Sequence, residues 1–151
     1  MDLHDVYRHA LRDGWGSFRF TPAVQALRAF RVALDLYDAE GGQKARLARY
    51  SRTRDVAYEG LQALGFRPYV ERANQGPIIV VVHQPEDPNW DFPKFLRGMK
   101  ARGVIISNHF TTKAPTMRIG CIGAIDAEDM RFALAQMEAT LREMGVGSRA
   151  A

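Results

Sequence analysis

Apolar residues recur at helical spacing up to residue 64, and at Gly65 the pattern shifts to short, nearly continuous apolar runs, so the chain reads as helices first and strands afterwards. Leu3, Val6, Tyr7, Ala10 and Leu11 define a first helix, closed by Gly14-Trp15-Gly16 before a short extended piece at 18–20. Thr21-Pro22 reads as an N-cap followed by proline at the first helical position. The helix it opens has Leu27, Phe30, Leu34 and Tyr37 as its expected inward stripe and stops at Gly41-Gly42. A third helix is predicted over roughly 43–64, beginning with an acid-free basic run at 43–54 that reads as a solvated face.

Strands are predicted at 66–70, 78–83, 104–107 and 116–122, the second of them β-branched and buried on both faces. The prolines and polar residues of 84–89 make a loop. Asp91 caps a helix carrying Phe92, Phe95, Leu96 and Met99 inward and ending at Gly103. Asp126 caps the last helix, with Asp129 at the capping-box position and Phe132, Leu134, Met137, Leu141 and Met144 as its core residues up to Gly145. The order predicts a two-layer α+β sandwich, a small mixed or antiparallel sheet with helices packed on one face. Its other face is left to meet solvent or another domain, and the aromatic content favours a domain. The whole chain, 1–151, reads as one domain: a lead-in over 1–20, the main body over 21–146 and a disordered tail over 147–151.

Composition narrows the classes. The 151 residues are 46% hydrophobic and 25% charged, enough for one core burying roughly 70% of the unfolded surface. The longest purely apolar run, 78–82, falls far short of the ~20 residues of a membrane helix. The amino terminus has no signal-peptide pattern, so a cytoplasmic location is expected, with no membrane partner. A net charge of +4, from 21 basic and 17 acidic residues, is a modest excess that points to a small anion before nucleic acid. Cys121 is the only cysteine, which removes any internal disulfide or cysteine-based metal cluster and leaves a small core residue.

The segment 116–126 concentrates the candidate chemistry. Strand alternation puts Thr116, Arg118 and Gly120 on one side and Met117, Ile119 and Cys121 on the core side. Little bulk flanks Arg118, so its guanidinium can meet a carboxylate or phosphonate through a bidentate fork. An ion-paired or edge arginine is the plain alternative. Among the four histidines only His4 and His9 are close in sequence, and at that spacing they lie about 140° apart on a helix, so no metal site is expected. The glycines at 14–16 and 120–123 are too sparse for a dinucleotide fingerprint, and no serine or cysteine has a base and orienter beside it.

Phe18-Arg19-Phe20-Thr21-Pro22, Leu27-Arg28-Ala29-Phe30, Glu40-Gly41-Gly42, Ala45-Arg46 with Arg49-Tyr50, Gly76-Pro77-Ile78-Ile79 and Arg118-Ile119-Gly120-Cys121-Ile122-Gly123 resemble, in order and spacing, the carboxy-terminal part of the 2-aminoethylphosphonate–pyruvate aminotransferases. These are class V pyridoxal-phosphate enzymes. The resemblance implies the small domain of a fold-type I aminotransferase, with pyridoxal phosphate as electron sink in moving an amino group from 2-aminoethylphosphonate to pyruvate. It makes Arg118 the arginine that holds the substrate anion. It makes Thr21 a contact to the cofactor phosphate of the neighbouring subunit, a role compatible with a helix N-cap.

The resemblance also places the Schiff-base lysine in a large domain preceding the matched region. The chain is accordingly expected to be inactive alone, and to act with that domain or a second subunit in a homodimer. Ser107-Asn108-His109-Phe110 stands where many relatives carry Tyr-Pro-Gly-Lys, and Ala23 and Val24 stand where they carry proline and threonine. A free-standing anion-binding or regulatory domain derived from such an enzyme is the alternative. A nucleic-acid-binding helix over 44–54 is a third, and it predicts steep salt dependence.

Overall fold

In the computed structural model the described residues are 2–12, 16–106 and 114–147. They group into two compact units, Met1–Gly42 and Gln43–Ala151. The first holds α1 (Leu3–Arg12) and α2 (Val24–Glu40). Arg19 pairs with Asp5 and lies over the Phe20 ring at 5.3 Å. Gly41, at φ 104°, ends α2 by turning its N–H back to the carbonyls of Tyr37 and Asp38, a left-handed cap that suits glycine.

Two expectations fail in this unit. Thr21 does not cap α2, which starts three residues later with Ala23 at its N-cap and no side-chain bond there. Pro22 accepts the Val24 N–H at 2.9 Å instead, so the chain makes a tight turn before the helix begins. Nor is the stripe of Leu27, Phe30 and Leu34 inward: Phe30 is 60% exposed, and neither α1 nor α2 has a buried residue.

The second unit runs α3 (Gly42–Ala63), a 3-10 turn at Arg72–Asn74, β1 (Ile79–His83), α4 (Phe92–Ala101), β2 (Thr116–Gly120) and α5 (Ala127–Met144). β1 and β2 pair antiparallel, with Val81 opposite Arg118 and Val80 opposite Ile119. The ladder continues past both ends, from Cys121 N–H to Ile78 O at 2.8 Å and from Gln84 N–H to Pro115 O at 2.9 Å. Directly opposed residues share a face. Val80, Val82, Met117 and Ile119 therefore form one buried face, packed with Leu61, Phe95, Met99, Met130, Met137 and Leu141. Five methionines, at 99, 117, 130, 137 and 144, are buried in this core.

The α+β sandwich holds with fewer strands than the four predicted. The 66–70 segment is reduced to a bridge between Pro68 and Val82, flanked by Tyr69 N–H to Val81 O and His83 N–H to Arg67 O, both at 2.9 Å. Pro68 has no N–H to extend the pairing. Residues 104–106 form no strand, because the Val104 N–H closes α4 by bonding Met99 O at 3.0 Å, and Ile105 is 84% exposed. Ser107, the rest of the loop to Lys113, and the tail beyond Gly147 lie outside the described residues. Gly147 itself donates its N–H to Asp87 Oδ2 at 3.1 Å.

Both predicted aspartate caps form. Asp91 accepts from the Lys94 N–H, and Asp126 and Asp129 exchange both bonds of a capping box even though the second residue is aspartate. Phe132 is the one misassigned core residue of α5, at 55% exposure. It lies about 140° around the helix from Met137, and Met130, about 20° from Met137, takes the inward position. α4 packs on α5 through Thr140, whose hydroxyl donates to Gln136 O at 2.7 Å and accepts from Arg102 Nε at 3.2 Å. A methyl added at Gly98 meets the Thr140 methyl at 2.6 Å, and a branched, hydrogen-bonded side chain cannot swing away. Gly98→Ala should thus cost about 1–3 kcal/mol by overpacking despite alanine's helix preference, read as a lower denaturation midpoint at unchanged slope.

Candidate functional site

Arg118 sits in the middle of β2 on the side away from Met117 and Ile119, exposed between these two buried residues, with fully buried Thr116 on its own side. The register places it opposite Val81, so that Ile79, Val81 and His83 of β1 share its face with Thr116 and Gly120. A cleft of about 690 Å³ opens along β2, and Arg118 and Asp129 are the charged residues of its lining. Ile79, Val104, Ile106, Ile122, Met130 and Phe132 are among the apolar residues that make up the rest. Apolar walls thin out the water around the guanidinium, which strengthens any hydrogen bond it makes to an anion.

The turn after β2 is held from outside the sheet. Arg49 of α3 donates from a single nitrogen, Nη1, to Gly123 O at 2.7 Å and Ile125 O at 2.8 Å, and its guanidinium lies 4.9 Å from the Tyr50 ring centre. Gly123 makes this turn at φ 100°. Arg54 is likewise turned inward, with Nη1 on Gln75 O at 2.6 Å and Nε on Asp55 Oδ1 at 2.6 Å. Thr53 between them is fully buried. The basic run expected to be a solvated face is thus partly structural. The signal available in the sequence was Thr53, a small polar residue in helical register with Ala57 and Leu61.

The other candidates are placed as follows. Thr21 is exposed in the first unit and Arg118 belongs to the second. Lys44, Lys94 and Lys100 are exposed on α3 and α4 and none lines the cleft, while Lys113 lies outside the described residues. Burial pushes the Cys121 thiol up to about 11, against smaller opposing effects of Arg54 and the Val80 backbone, so the thiol is inert at neutral pH. Among the described residues no three histidine, cysteine, aspartate or glutamate side chains are grouped to hold a metal ion. No helix among them is long and apolar enough to cross a membrane.

A second cleft, of about 410 Å³, is lined by Arg67, His83, Glu86, Asp87, Glu138 and Arg142 among others, charges of both signs. Burial and then Arg67 hold His83 below its ordinary 6.5, with Glu86 pulling the other way. The unfolded chain therefore takes up this proton before the folded one does. Stability falls as pH drops through 6.5 and levels off once the folded value is passed. His83→Gln should flatten that slope, measured by denaturation midpoints from pH 8 to pH 5.

No family model matches the chain. Its fold is that of aminotransferase small domains. It superimposes on pyridoxamine-pyruvate aminotransferase from Mesorhizobium loti with a TM-score of 0.78 at 24% identity, over 89% of this chain and 34% of that one. The alanine–glyoxylate aminotransferase of Nostoc sp. gives 0.76 at 21% identity, over 94% and 39%.

By sequence the chain is a homologue of part of the 2-aminoethylphosphonate–pyruvate transaminases. It is 42% identical over 146 residues to that of Burkholderia ambifaria, covering 97% of this chain and 39% of the relative. With that of Cupriavidus taiwanensis the identity is 43% over 146 residues, covering 97% and 38%. The chain thus spans about two fifths of the length of the curated relatives it matches, an extent that fits the carboxy-terminal segment expected from the resemblance.

Proposed function

We propose that this chain is the part of a pyridoxal-phosphate-dependent aminotransferase that grips the substrate's anionic group. The enzyme would move the amino group of 2-aminoethylphosphonate to pyruvate, giving phosphonoacetaldehyde and alanine. The observation that carries the reading is Arg118 on the open face of β2, in a mainly apolar cleft, within a chain alignable over 97% of its length with transaminases of that name. A guanidinium stays charged at any working pH and presents a planar fork of donors. That fork matches two oxygens of a phosphonate or carboxylate, so it fixes the direction of the substrate as well as its position.

Pyridoxal phosphate supplies the electron sink of such an enzyme when bound. The described residues fit the substrate's anion rather than the covalent anchoring of that cofactor, since none of the described lysines reaches the cleft. This chain's share of the chemistry is binding and orientation. Thr21, exposed and not spent on capping α2, is proposed as a contact to the cofactor phosphate of a neighbouring subunit in a cytoplasmic homodimer.

Loss of one partner of a desolvated charged pair costs about 2–5 kcal/mol, equivalent to roughly 30-fold or more in affinity. In the enzyme joined to its large domain, Arg118→Ala should raise the apparent KM for 2-aminoethylphosphonate by at least that factor while cofactor absorbance is retained. Unchanged steady-state kinetics exclude the role. The 151-residue chain by itself should form no alanine from pyruvate and 2-aminoethylphosphonate.

A further inference from the structure

We propose that Arg49 is the positioning residue of the Arg118 site. The proposal rests on Arg118 being the anion-binding residue, and it concerns a side chain that touches neither substrate nor cofactor.

The geometry has three parts. Arg118 lies two residues before the end of β2, and the chain then crosses 121–126 to the Asp126 cap of α5. That crossing is held at both ends by its own bonds, Cys121 N–H to Ile78 O at 2.8 Å and Asp126 N–H to Asp129 Oδ2 at 3.0 Å. Between these points, the bonds to Gly123 O and Ile125 O both come from one nitrogen of Arg49. The two hydrogens of that nitrogen diverge by a fixed angle in the guanidinium plane, so the two carbonyls are fixed relative to each other as well as to α3. Arg49 is itself held, since its carbonyl accepts from Thr53 Oγ1 at 3.1 Å on a fully buried residue and its guanidinium lies against Tyr50.

Residues of the clamped turn also build the site. Ile122 and Ile125 line the same cleft as Arg118 and Gly120, so a shift of the turn reshapes the cleft that Arg118 lines. A strand held on one side by β1 keeps its backbone through the ladder. The direction in which its exposed side chains point depends on what stands beside them. Gly123 contributes by adopting φ 100°, which aims its carbonyl at Arg49 in a conformation that a residue with a Cβ rarely takes.

The test uses the 151-residue chain, labelled with ¹⁵N, and reads the Nε–Hε order parameter of Arg118 together with the amides of Phe95 and Met99 as a core reference. In the unaltered chain the Arg118 signal should be ordered, and it should shift on titration with methylphosphonate. In Arg49→Met the core amides should stay ordered while Arg118 becomes mobile and methylphosphonate affinity falls about tenfold. Gly123→Ala strains the same turn without adding a clash, and should loosen Arg118 in the same way even if Arg49→Met does not fold.

Arg118 as ordered as in the unaltered chain in either folded variant, with affinity unchanged, overturns the positioning role. Failure of the broader reading looks different: methylphosphonate then leaves the Arg118 signal unmoved in the unaltered chain, or binds Arg118→Ala equally well. A fall in melting temperature alone, with Arg118 still rigid, marks Arg49 as merely structural and also overturns the proposal.

Discussion

The antiparallel pairing of β1 with β2, in the register that sets Val81 against Arg118, is the constraint on which the rest of the second unit depends. A slip of one residue would turn Met117 and Ile119 outward and drive the Arg118 guanidinium into a core of methionine, leucine and phenylalanine. Burying an unpaired cation there costs far more than any single packing contact returns. The register is therefore fixed by what each face can tolerate, and the same alternation that closes the core delivers a cation to the cleft. The extra ladder bonds at Cys121 and Gln84 lock the pairing from both ends.

Where local rules and tertiary packing agree, the fold was legible in the chain. The aspartate caps at 91 and 126, the glycine stops at 41 and 145, and the alternation around Arg118 all depend on a few neighbouring atoms, and all are present. The misses come where a local apolar pattern is overruled by a competing bond, by the side of the helix, or by packing that the pattern alone does not show. An apolar run at 104–106 has strand composition, but its first amide is already committed to ending α4. Phe132 is apolar enough for a core, yet it stands on the wrong side of α5. The stripe on α2 has helical spacing, yet none of its residues is buried among the described ones. For the candidate site, Arg118 stands out in the sequence by its strand position and its small neighbours. Arg49 was hidden in a basic run, because its partners are two carbonyls 74 and 76 residues away and carbonyls leave no mark on a sequence.

The two arginines of this region are used differently. Arg118 has an exposed position where a solute can reach it, and Arg49 spends one nitrogen on the protein's own backbone. A grip that is to orient a substrate must be stiffer than the substrate's own tumbling, and a long arginine side chain is not stiff unaided. In the positioning role proposed for Arg49, its hold on the neighbouring backbone adds to the stiffness of that side of the cleft.

The floor of the cleft is made differently. Met130 and Met137, two of the five buried methionines, line it, and a thioether chain with three freely turning bonds reshapes itself at small cost. A cation beside a compliant sulfur-bearing wall separates two properties that a pocket of branched residues would join. In the anion-binding role proposed for Arg118, the charge would set where a ligand's anionic end lies, and the wall would accept the carbon skeleton that follows it. The same softness carries a chemical liability: oxidation of either sulfur would place a polar sulfoxide between the sheet and α5, so peroxide exposure would attack the lining of the cleft and the packing of the core in one event.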